Sequence, residues 1–153
     1  MPIWTIVLGI GFALLALNAS LSFHNIWPTL WVHLRPELSV EAAAILLFVA
    51  IRSAWFGAMS MPTRYLIATA LLFLVLGRYV DVTAPALYGR PINFYWDAQH
   101  IPRVAAMILK DDHAWSVIIS MLALTLVAVC LFMGLSYVLA VLSRAVQRPQ
   151  TRL

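Results

Sequence analysis

The chain is short of charge. Asp, Glu, Lys and Arg make up 10% of its 153 residues, where soluble domains carry about 25%. Cysteine is nearly absent. Cys130 stands alone in an apolar run, which excludes an intramolecular disulfide and a cysteine-based metal cluster and leaves it as a packing residue. Lysine is also scarce, Lys110 being the only one. No acid lies in the middle of a long apolar run, so a proton or ion pathway, which needs an ionisable group at mid-depth, is not expected. The four histidines, His24, His33, His100 and His113, sit at the edges of such runs or between them. That argues against haem held between two histidines inside a helical bundle. There is no Gly-x-Ser-x-Gly, so nucleophilic catalysis has no motif to rest on. The formal net charge is +4, but no basic stripe is interleaved with stacking aromatics, so nucleic acid is not an expected partner. Internal repeats and low-complexity segments are missing too.

What is present is apolar. Hydrophobic residues make up 63% of the chain, and the mean hydropathy is +0.92. A core alone cannot absorb that much apolar surface, so the expected solvent is lipid. Four runs are long enough to cross about 30 Å of hydrocarbon. They cover residues 3–23, 40–59, 64–80 and 115–142. The first lacks a basic leader and a good cleavage site, and reads as an uncleaved helix. Asn18-Ala19-Ser20 matches a glycosylation pattern but falls inside that run. Ser39 is placed to cap the second span, with Glu41 in its first turn. Met61-Pro62-Thr63 reads as a tight turn with Thr63 capping the third. The fourth is longer than the bilayer is thick and must tilt or protrude. Glu41 and Arg52 are too far apart to pair, and each is expected at its own interface.

Residues 24–38, with Trp27, Trp31, His33, Pro28 and Pro36, look like an interfacial segment with aromatic rings at headgroup depth. Residues 81–114 form a long extramembrane loop, and residues 143–153 a basic tail. The expected fold is therefore an all-α integral membrane protein of one domain, with four transmembrane helices and a periplasmic loop containing a short interfacial helix. The Lys/Arg count does not settle its orientation. Arg52, Arg64, Arg144, Arg148 and Arg152 fall on one side, and Arg35, Arg78, Arg90, Arg103 and Lys110 on the other. The first side is short, basic and free of acid, which suits a cytoplasmic face. Both termini are then cytoplasmic, in a bacterial inner membrane.

Arg78 to His100 is the one polar, aromatic stretch in this setting. Arg78 and Asp81 are three apart and share a helix face. They read either as an intrahelical pair with Arg78 snorkelling, or as an anion site in which the guanidinium fork takes two phosphate oxygens. Gly89 and Pro91 bracket Arg90 in a turn. Tyr95 and Trp96 suit the headgroup boundary. The turn reads as an interfacial re-entry loop, or as a headgroup or glycan pocket with Arg90 and Asn93 as donors and Asp97 beside them. From Asp97 to Leu109 the spacing suggests an amphipathic helix on the membrane surface. Pro102 is tolerable only in a first turn, which moves the start to near Ile101. Asp97, His100, Asp111, Asp112 and His113 offer oxygen and imidazole ligands on one side, yet match no strong metal spacing.

The block RYVDVTAPALYGRPINFYWD, Arg78 to Asp97, resembles the last periplasmic segment in the membrane domains of sulfatase-like envelope transferases, the lipoteichoic acid synthase and phosphoethanolamine transferase relatives. In that family the metal ligands and the catalytic Thr or Ser belong to a large soluble domain, and a fifth span commonly delivers it. The resemblance implies a membrane domain separate from its catalyst, and it assigns no catalytic residue here. The expected function is a small membrane subunit that anchors or organises an envelope complex through residues 78–100. It is not expected to be catalytic alone. Its expected partners are membrane lipid and other membrane or periplasmic subunits, and a bound phospholipid is the only cofactor-like group anticipated. The alternatives are the lipid-positioning part of an envelope phospho- or glycosyl-group transferase and, more remotely, an accessory subunit of a redox or pigment-bearing complex.

Overall fold

Residues Ala114–Gln147 contain no proline and form a single helix of 34 residues, α6, about 51 Å long. The rest of the chain is arranged around it in this computed structural model, which describes residues 3–57, 59–111 and 114–147. The preceding elements are α1 (Ile3–Ala19), the strands β1 (Phe23–Asn25) and β2 (Val32–Leu34), α2 (Val40–Phe56), α3 (Met61–Tyr88), α4 (Phe94–Asp97), a single 3-10 turn (Ala98–His100) and α5 (Ile101–Asp111). The molecule is mostly helical. Two of its helices, α3 and α6, are long and apolar enough to cross a membrane.

The core sits on the C-terminal half of α6. Leu135, Val138, Leu139 and Leu142 pack with Ala13 and Leu17 of α1, Ala42 and Val49 of α2, and Ala68, Leu71 and Val75 of α3. Each of the three partner helices brings an alanine to this junction, and small side chains let backbones approach closely. The N-terminal half of α6 lacks such cover. Ile119, Leu122, Leu124 and Leu126 are exposed. Across the most apolar stretch of α6, mean hydropathy is 2.6 and 0% is buried inside the molecule.

Local chemistry sets the helix ends. The Ser39 hydroxyl accepts from the Ala42 amide at 3.2 Å and donates to Glu41 at 2.6 Å, so this cap forms as the sequence reading anticipates. α2 stops at Gly57, which has φ 71°. Met61-Pro62-Thr63, expected as a turn, is instead the first turn of α3. Proline is preset for that position and needs no amide partner there. Thr63 is no cap; its hydroxyl meets that of Ser60 at 2.9 Å. α3 also runs eight residues beyond the expected end at Val80. Pro85 lies within its last turns, and Gly89, left-handed at φ 69°, closes it by donating to the Pro85 carbonyl at 2.9 Å. The expected 81–114 loop thus begins as helix.

A β-hairpin replaces the irregular segment expected at 24–38 and departs from the all-α reading. Phe23 pairs with Leu34, His24 with His33, and Asn25 with Val32. The turn is fastened by the Ile26 amide to Trp31 at 2.8 Å and by Asn25 Nδ2 to the Thr29 carbonyl at 2.6 Å. Three-residue strands leave too short an alternation to read from sequence. α1 ends at Ala19 rather than continuing to residue 23, because the Leu21 and Ser22 amides turn back to the Asn18 carbonyl, each at 3.0 Å. α5 begins at Ile101, with Pro102 in its first turn.

Candidate functional site

The hairpin, the ends of α1 and α3, the start of α2 and the segment after α3 gather at one end of the molecule. Tyr79 joins them by donating its hydroxyl to the Leu30 carbonyl at 3.1 Å. Asn18 joins them again. Its side-chain amide donates to the Glu37 carbonyl at 2.7 Å and accepts from the Ser39 amide at 2.9 Å, which fastens the end of α1 to the entrance of α2.

Between these elements opens a cavity of about 470 Å³ lined by Glu37, Ser39, Glu41, Arg78 and Asp81 over an apolar wall that includes Leu38 and Phe73. Arg78 and Asp81 lie one turn apart on α3, as anticipated, but their contact is loose at 3.9 Å. Arg78 Nε is buried without a hydrogen-bond partner. Glu37 is held by Arg35 at 3.2 Å. Carboxylates still outnumber guanidinium groups around this basin, a poor setting for a phosphate.

Arg90, Asn93 and Asp97 form a closed unit. Arg90 donates to both carboxylate oxygens of Asp97, at 2.6 and 3.1 Å. The Asn93 amide donates to the same carboxylate at 2.8 Å, and the Asn93 side-chain oxygen caps the Tyr95 amide at 3.1 Å. The hydrogen bond from Arg90, and then that from the Asn93 backbone, hold the Asp97 carboxyl below the usual carboxylate range. Asp97 in turn raises Arg90 above its ordinary value. The residues that sequence reading sets out as donors to a ligand are therefore engaged with one another. A smaller cavity of about 240 Å³ lies beside them, lined by Tyr88, Arg90, Pro91, Ile92, Asp97 and His100.

The clamp displays aromatic side chains. Tyr88, Phe94, Tyr95 and Trp96 are all exposed, and Tyr95 and Trp96 meet edge to face with centroids 5.0 Å apart. α5 continues this surface, with Ile101, Val104 and Ile108 exposed on one face and Arg103 and Lys110 on the other. All six tryptophans, Trp4, Trp27, Trp31, Trp55, Trp96 and Trp115, are between 60% and 80% exposed, each near a helix end or in the hairpin.

Among the described residues, no three His, Cys, Asp or Glu side chains converge as a metal site. Of the sequence-derived ligand set, Asp97 and His100 share the smaller cavity, and Asp112 and His113 lie outside the described residues. Sequence reading missed Asn18 and Tyr79 as organising residues. The available signal for Asn18 was a hydrogen-bonding amide at the end of an apolar run, followed by Ser20 and Ser22. Comparison of the chain with family models, with curated proteins and with solved structures finds no match.

Proposed function

We propose that the chain is a small integral-membrane subunit that anchors or organises a membrane complex through its hairpin end, with the surface of residues 78–100 as the docking face. α1, α2, α3 and α6 are its four spans. α1 and α2, at 17 residues each, are about 26 Å long and fit a bilayer that thins slightly around them. The observation that carries the reading is the uncovered apolar half of α6 together with the six exposed tryptophans near element ends, since Trp concentrates at membrane–water interfaces. The opposite end carries Arg52, Arg64 and Arg144 without a described acid, which supports a cytoplasmic face there and a periplasmic hairpin end. The Arg90–Asp97 clamp supports docking over ligand capture, because its donors are already used and what it presents outward is aromatic.

Mild-detergent purification followed by intact-complex mass spectrometry tests this. The expected result is a stoichiometric protein partner that Trp96→Ala or Arg90→Ala releases while membrane integration persists. A chain that is isolated alone overturns the subunit reading. If that lone chain retains a phospholipid, the lipid-positioning part of an envelope transferase takes its place, and visible absorption in the isolated complex would instead indicate a redox or pigment-bearing assembly.

A further inference from the structure

The hairpin brings two histidines together. His24 in β1 lies directly opposite His33 in β2 in the antiparallel register, so both side chains leave the same face of the ribbon. Their ring centroids are 6.3 Å apart and the planes are tilted by 43°. A tetrahedral metal ion held about 2.0–2.1 Å from one nitrogen of each ring puts the centroids roughly 5 Å apart. The observed separation is about 1 Å longer, a gap that rotation of the exposed His33 ring closes without moving the strands.

His24 adds a second, independent sign. Its Nδ1 is buried and has no hydrogen-bond partner. Buried polar atoms are nearly always paired, and an exception calls for an unseen occupant or a functional role. The ribbon that carries the pair is also held in place. Phe23, next to His24, is 6% exposed and belongs to the core, and the Tyr79 hydroxyl ties the hairpin tip to α3. Positioned ligands lose little freedom on binding. His33 is exposed, so the remaining coordination positions open to water.

We propose that His24 and His33 form a two-imidazole site for one divalent transition-metal ion of the zinc type, completed by water or by a ligand group from another molecule. Imidazole suits zinc, copper and nickel, while magnesium and calcium prefer oxygen. With two protein ligands the affinity belongs in the micromolar range, well below that of a closed four-ligand zinc site. The site does not depend on the membrane-subunit reading.

The test is Zn²⁺ titration of the chelator-stripped full chain in detergent, followed by calorimetry. The expected result is one ion per chain, with binding weakened roughly ten-fold or more in His24→Ala and in His33→Ala. It is unchanged when His100 and His113 are both replaced by alanine, and Mg²⁺ does not compete. His33→Ala carries the decision if His24→Ala disturbs the hairpin, because His33 is exposed. Absence of saturable Zn²⁺ binding overturns the proposal. So does binding that survives His33→Ala, or binding that is lost with His100 and His113, which would place the ion at the segment after α3.

Discussion

Asp97 holds its turn from two directions, by accepting the Arg90 fork and the Asn93 amide. A depressed carboxyl pKa stabilises the folded turn at pH values above that of an unfolded Asp, about 3.9, and the contribution fades as pH falls through the depressed value. The sign predicts a turn indifferent to pH from about 5 to 8 that loosens only in stronger acid. The protection of the Asn93–Asp97 amides against exchange should follow that profile, whereas Asp97→Asn should lower it across the neutral range and converge with the wild type in strong acid. Arg90→Lys keeps the charge but not the planar fork, and should fall between the two. The sequence displayed all three residues of this clamp. It did not display their mutual pairing, since Arg90 and Asp97 are seven apart and meet only because Gly89 and Pro91 turn the chain back.

Among the elements, the link between α1 and α2 is the most economical. One side chain, Asn18, satisfies a carbonyl and an amide in the entrance to α2. Asn18→Ala leaves the Ser39 amide without its partner at a half-buried site and returns the exposed Glu37 carbonyl to water, and should cost about 1–2 kcal/mol in detergent unfolding. Ser39→Ala, which removes the cap and its link to Glu41, should cost about 1 kcal/mol. For α5 the expected outcome concerns placement. If its apolar face rests on lipid, Val104→Glu with Ile108→Glu should reduce quenching of Trp96 and Trp115 by brominated lipid, with the bundle still folded. Its start at Ile101 was legible, because proline restricts where a helix can begin. The end of α3 was not. Arg78 and Asp81 mark where an apolar run becomes polar, but charge limits burial in lipid and does not terminate a helix. Termination waited for Gly89 and its positive φ.

Across the whole molecule the unusual quantity is uncovered apolar surface. The core lies where α1, α2 and α3 meet the C-terminal half of α6, and the other half of α6 leaves most of its apolar side chains exposed. If lipid covers it, the chain should resist alkaline carbonate extraction. Tryptophan fluorescence should be quenched more strongly by shallow than by deep bromine labels, since all six indoles lie towards element ends. Strong deep quenching, or release by carbonate, would count against the four-span reading.

Sequence alone determined that the chain is mostly helical, rich in lipid-compatible surface, and polar and aromatic between residues 78 and 100. Those properties follow from composition and from the spacing of breakers, which act over a few neighbouring residues. Only tertiary structure decided that Arg90 is held by Asp97, that Asn18 fastens α2, that residues 23–34 pair as a hairpin and that His24 faces His33. Each of these joins residues that chain direction separates and folding brings within a few ångströms. Hydrogen bonds and metal coordination act only at that range, so no local pattern could announce them.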